Sequence, residues 1–195
     1  MRKSTVLLAA LAASFLATAA AGSVSVLGSS PARKCFEAAD TENGSRSALS
    51  ACNAALMDTT LTQHEVVATY VNRGIVRMHG KDDAGALVDF DLAIARDGNE
   101  AEAYLNKAVL LLKNDESGER ALPLFDTAIR KGTSRPEIAY FGRAVAHEAQ
   151  GDIEAAYRDY RMAAEIAPEW PDPQRELTRF SISPRPGKGA RGAMM

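Results

Sequence analysis

The sequence predicts an all-α fold, a stack of antiparallel helix hairpins, and three observations carry that prediction. The first is a repeat. Tyr70, Tyr104 and Tyr140 correspond, as do Gly74, Ala108 and Ala144, then Ala86, Ala121 and Ala156, then Phe90, Phe125 and Tyr160, then Ala93, Ala128 and Ala163. The second is the spacing inside each copy. An aromatic is followed one turn later by a small residue, which lets two helices approach closely, and an Ala, aromatic, Ala series further on lies on one helical face. The third is punctuation. Gly80-Lys81-Asp82-Asp83, Asn114-Asp115-Glu116-Ser117-Gly118 and Gly151-Asp152 supply short connections inside the copies. Asp97-Gly98-Asn99, Lys131-Gly132-Thr133 and Ala167-Pro168 end the second helices.

This pattern resembles the tetratricopeptide repeat (TPR), a helix-turn-helix unit that stacks into a solenoid. The resemblance implies a right-handed solenoid with clear repeats at 67–100, 101–136 and 137–170. A degenerate copy at 31–66 precedes them: Ala48, Cys52 and Ala55 stand where other copies have Ala, aromatic, Ala, and Cys35 and Phe36 lie near the small-residue place. A terminal repeat is expected to be atypical because one face has no neighbour. After Trp170, a short helix over 171–180 carries Leu177 and Phe180 one turn apart and is expected to cap the last repeat. Residues 181–195 hold Pro, Gly and the cations Arg185, Lys188 and Arg191 without apolar periodicity, the composition of a disordered basic tail.

The N-terminus sets the compartment. Arg2 and Lys3 precede an uncharged, Ala- and Leu-rich run from Ser4 to Gly28, with small-residue cleavage options at Ala17-Thr18-Ala19 and Ala19-Ala20-Ala21. This reads as a secretory signal peptide over 1–21 followed by a linker over 22–30, placing the chain outside the cytoplasm, in a bacterial periplasm. The alternative is an uncleaved inner-membrane anchor, since the run is long enough to span a bilayer. Cys35 follows Ala32-Arg33-Lys34 rather than the apolar run, which argues against lipidation.

Export bears on the chain's two cysteines, Cys35 and Cys52. With one helix over Ala32 to Asp40 and the next over Ser45 to Met57, they can face each other across a hairpin and form a disulfide. The alternative is a pair of small buried residues left reduced.

Signals for catalysis are weak. His64-Glu65 and His147-Glu148 each begin like the zinc-protease HExxH motif, but neither has the second histidine. His79 sits at a helix end beside Gly80, where favourable interaction with the helix terminus is the ordinary reading. Asp82 with Asp83, and Asp89 with Asp91, fall in a polar turn and on a charged helix and read as a solvated face. No glycine-rich phosphate cradle is present, no cofactor or metal site is expected, and a formal charge of -2 with 46% hydrophobic content points to no nucleic acid.

The expected function is therefore non-catalytic: a protein-protein interaction scaffold or assembly factor that binds a hydrophobic peptide or helix. In TPR solenoids the first helices line a concave groove. Carried over by position, that groove is lined here by Val71, Ile75, Leu105, Val109, Phe141 and Val145, with Asn72 and Asn106 at a recurrent asparagine place. Ala68, Glu102 and Ile138 stand where a carboxylate-gripping clamp would use lysine, a departure from that subclass. The other reading of the apolar six is packing between adjacent first helices. Two further functions are kept open: a hydrolase or cell-wall-modifying enzyme on the same scaffold, and a membrane-tethered scaffold with an uncleaved anchor.

Overall fold

The computed structural model describes residues 30–115 and 118–180. The expected signal peptide, all of the linker but Ser30, Glu116 and Ser117 of the middle connection, and the basic tail lie outside the described residues. Among the described residues the chain is entirely helical. The helices are α1 (Pro31–Asp40), α2 (Arg46–Leu56), α3 (Gln63–His79), α4 (Asp83–Arg96), α5 (Ala101–Asn114), α6 (Leu122–Arg130), α7 (Pro136–Ala149), α8 (Ile153–Ile166) and α9 (Pro171–Leu177).

Local chemistry explains the boundaries. Ser30 and Ser45 accept hydrogen bonds from the backbone N–H of Arg33 and Ala48, both at 3.2 Å, which starts α1 and α2. Thr62 and Glu65 form a reciprocal capping box that starts α3, four residues before the expected repeat boundary at Val67. Asp82 and Asp152 cap α4 and α8, each accepting at 3.0 Å, so the turn acids that follow Gly80 and Gly151 are helix starters. The same turn closes α1, α3 and α7. In each, the N–H of the third residue beyond the helix reaches back to a carbonyl in its last turn: Asn43 to Ala38, Asp82 to Arg77, Asp152 to His147.

The hairpins stack in series. α1 pairs with α2, α3 with α4, α5 with α6 and α7 with α8, while each first helix also touches the next, α1 to α3 to α5 to α7. Each second helix packs against the first helix that follows it, and α9 packs on α8. The apolar residues fall into two clusters. One joins Cys35, Cys52, Val71, Ile75 and Phe90 and ends at Ala103 and Leu110 of α5. The other starts from Leu105 and Val109 of the same helix and continues through Phe125, Phe141 and Tyr160. Helix α5 is the shared wall.

The repeat columns serve this stacking. Gly74 faces Phe90 so closely that a Cβ there would lie 2.4 Å from the ring. The middle hairpin departs from its neighbours. Ala121, expected inside a helix, sits buried in the turn before α6, which runs 9 residues against 14 in α4 and α8.

Cys35 and Cys52 form a disulfide between α1 and α2, with their Cα atoms 4.6 Å apart. This is compatible with an exported protein. No helix of the described residues is long and apolar enough to cross a membrane.

Candidate functional site

The first-helix layer, α3, α5 and α7, carries the residues expected to line a groove. All eight, Val71, Asn72, Ile75, Leu105, Asn106, Val109, Phe141 and Val145, are buried. The apolar six belong to the two clusters rather than to an exposed strip. Of the two readings of the apolar six, their burial in the described residues matches packing between helices. Phe141 shows the reason at closest range: its ring packs edge-on against Tyr160 at 5.3 Å and tilted against Trp170 at 4.8 Å between centroids.

The two asparagines are not equivalent. Asn106 donates from Nδ2 to the Glu102 carbonyl at 2.8 Å, whereas Oδ1 of Asn72 is buried without a hydrogen-bond partner among the described residues. In α7 the column holds Gly142, where a Cβ would lie 2.3 Å from the Phe125 ring, so the third position has no space for a side chain. At the place where a clamp would use lysine, Glu102 is buried and accepts from the Thr133 hydroxyl at 3.0 Å and the Ser134 N–H at 2.7 Å. It pins the α6–α7 connection to the start of α5.

What the first helices leave half-exposed is a row of aromatics and cations: Tyr70, Arg73 and Arg77 on α3, Tyr104 and Lys107 on α5, Tyr140, Arg143 and His147 on α7. The guanidinium of Arg96 lies 4.5 Å from the centre of the Tyr70 ring, and that of Arg143 5.2 Å from Tyr140.

The cations in the row are engaged. Arg73 makes two bonds to Asp89, at 2.6 and 3.0 Å, and Arg77 donates a third at 2.8 Å. Asp89 is wholly buried, which corrects its reading as part of a solvated face; Asp91 and Asp82 do remain exposed. Arg143 repeats the arrangement two hairpins away. It holds Asp159 through two bonds at 2.7 and 2.8 Å and reaches back to Asp126 at 2.7 Å. Hydrogen bonds to Asp159, then to Asp126, raise its already high pKa against the effect of burial. In the middle hairpin Lys107 pairs with Asp91 of the preceding hairpin, while Leu124 occupies the place of Asp89 and Asp159. Sequence reasoning missed this ladder, although its signal was present: Arg73 and Arg143 share a column, and so do Asp89 and Asp159, 16 residues on.

The histidines separate. His64 is exposed in the first turn of α3. His147 lies 3.9 Å from Asp159, and its neighbour Glu148 accepts from the Tyr160 hydroxyl at 3.0 Å and from Arg179 at 2.7 Å. Burial, then the Glu148 carboxylate, push the Tyr160 phenol far above its ordinary range, so it acts as a donor. His79 ends α3, and its side chain is 7% exposed. Burial holds its pKa below the ordinary value, so desolvation outweighs the favourable helix-terminus effect expected from sequence. Among the described residues no group of three or more His, Cys, Asp or Glu is placed to hold a metal ion.

No protein-family model matches the chain, and no curated protein matches it either.

Proposed function

We propose that this chain is an exported solenoid of the TPR type that acts as a non-catalytic scaffold or assembly factor, gripping an apolar peptide or helix of a protein partner through its first-helix layer. The observation that carries the reading is the serial contact α1 to α3 to α5 to α7, an extended layer of first helices that offers a continuous surface to a long ligand. The buried Cys35–Cys52 disulfide suits an oxidising compartment such as the periplasm. Because the eight groove positions are buried, a partner meets the half-exposed row of Tyr70, Tyr104 and Tyr140 first.

The burial also dictates the test. A charge at Leu105 or Val109 would enter the core and unfold the hairpin, so a photo-crosslinking aromatic at Tyr104 or Tyr140 is the cleaner probe. Val88 on α4, 55% exposed, serves as the second-helix control. In cells, discrete crosslinked species are expected from the two tyrosine positions and not from Val88. Absence of crosslinks at both, or equal capture at Val88, refutes the first-helix layer as the binding surface.

A further inference from the structure

We propose that His79 is a pH-sensitive latch between the N-terminal hairpin, α1 with α2, and the rest of the stack. The geometry is that of a wedge. The turn joining α1 to α2 lies directly on the end of α3, and a Cβ on Gly44 would sit 2.2 Å from the Gly80 nitrogen and 2.4 Å from the His79 carbonyl carbon. There is no slack in this contact. The imidazole is packed in the same junction, its Nε2 buried without a hydrogen-bond partner among the described residues.

Among the described residues two charged groups face it. Glu42, on the α1–α2 turn, has a carboxylate oxygen 4.0 Å from Nδ1, beyond hydrogen-bond reach. Lys113, on α5, opposes a second positive charge and is itself 3.5 Å from Asp83 of α4. A neutral ring therefore fits as packing. An imidazolium would need an acceptor at Nε2, where the described residues provide none, and would lie near the Lys113 ammonium. Glu42 works in the opposite direction, but burial is the larger influence.

The sign follows. The docked hairpin holds His79 below its ordinary pKa, and the undocked hairpin returns it to that value. Docking is fully favoured above the ordinary value, weakens as the pH falls below it, and reaches its full loss once the pH has dropped through the depressed value. Since both α1 and α2 pack on α3, the unit released is the whole hairpin, kept intact by its disulfide.

The buried disulfide is also the reporter. In the full chain, its reduction by a water-soluble phosphine is followed from about pH 8 to about pH 5, normalised to a small-molecule disulfide, with far-UV circular dichroism recorded at each pH. Because opening takes up one proton, the normalised rate should rise towards acid by up to about tenfold per pH unit while helical content holds. His79→Gln should abolish the rise, and Glu42→Gln should extend it to lower pH. His64 and His147 remain in both variants. The latch is overturned if the wild type shows no rise, if His79→Gln keeps it, or if the rise coincides with loss of the whole helical signal.

Discussion

The N-terminal hairpin and the hairpin that follows it make the same helix-helix contact from different chemistry. In α3/α4 the contact is a small residue against a ring, Gly74 under Phe90. In α1/α2 it is Cys35 bonded to Cys52, 17 residues apart, with Cys52 at the aromatic's place between Ala48 and Ala55. The difference reflects position in the stack. α3 is packed by α1, α2, α4 and α5, whereas α1 is packed by α2 and α3. A hairpin with fewer neighbours gains less from burial, and a cross-link offsets the shortfall by constraining the unfolded chain. The polar interior differs as well. Asp89 is buried between two arginines of its own hairpin, while from the N-terminal hairpin the exposed Asn53 accepts from Arg73 at 2.9 Å.

The largest expected effect tests the ionic side of that contrast. Asp89→Ala leaves Arg73 and Arg77 facing an uncharged, buried gap and should cost about 3 to 5 kcal/mol, measured as a fall in the urea unfolding free energy. Both arginines keep partial exposure, which places the value toward the lower end. Asp91→Ala, removing an exposed partner of Lys107, should cost about 0.5 kcal/mol. Equal costs would mean that the buried triad does not hold α3 to α4.

The same contrast marks what was legible in the sequence. The small, aromatic and alanine columns were readable because helix packing demands a residue size at fixed spacing, and size is written in the residue type. The pairing of Cys35 with Cys52 followed from the hairpin placed around them. Asp89 was not readable as buried, because burial of a carboxylate depends on cations at 12 and 16 residues' distance turning inward together. Asp91, two residues on, has the same letter and a solvated side chain. The groove residues were ambiguous for a related reason: an apolar residue on a first helix suits a ligand surface and a helix-helix interface equally, and only the three-dimensional neighbours distinguish them. His79 was read from its place at a helix end, whereas the α1–α2 turn that buries it lies more than 30 residues earlier.

The covalent side gives the next effect. Replacing both cysteines by alanine should cost about 3 kcal/mol for a loop of this length. Hydrogen exchange should place the loss within α1 and α2 and leave α7 and α8 protected. Cys35→Gly combined with Cys52→Phe would rebuild the Gly74 and Phe90 contact at the N-terminal site. That pair should recover part of the lost stability, and failure to exceed the double alanine variant would show that the flanking packing, not the contact itself, is what the terminal hairpin lacks.

A smaller effect than either separates the two hairpins by their turns. The second residue beyond α3 is Lys81 at φ 64, the second beyond α1 is Glu42 at φ 55, and the corresponding residue beyond α7 is Gly151 at φ 81. Only the last is free of the clash between Cβ and the following carbonyl that disfavours left-handed backbone. Lys81→Gly should therefore stabilise by about 1 kcal/mol, seen as a higher urea midpoint. Glu42→Gly relieves the same strain, but it also removes the carboxylate that favours a protonated His79, leaving burial and Lys113 to lower its pKa further. The gain from Lys81→Gly should then hold from neutral to mildly acidic pH, while the gain from Glu42→Gly shrinks as the pH falls. Parallel pH profiles for the two variants would show that Glu42 acts on stability through its backbone alone.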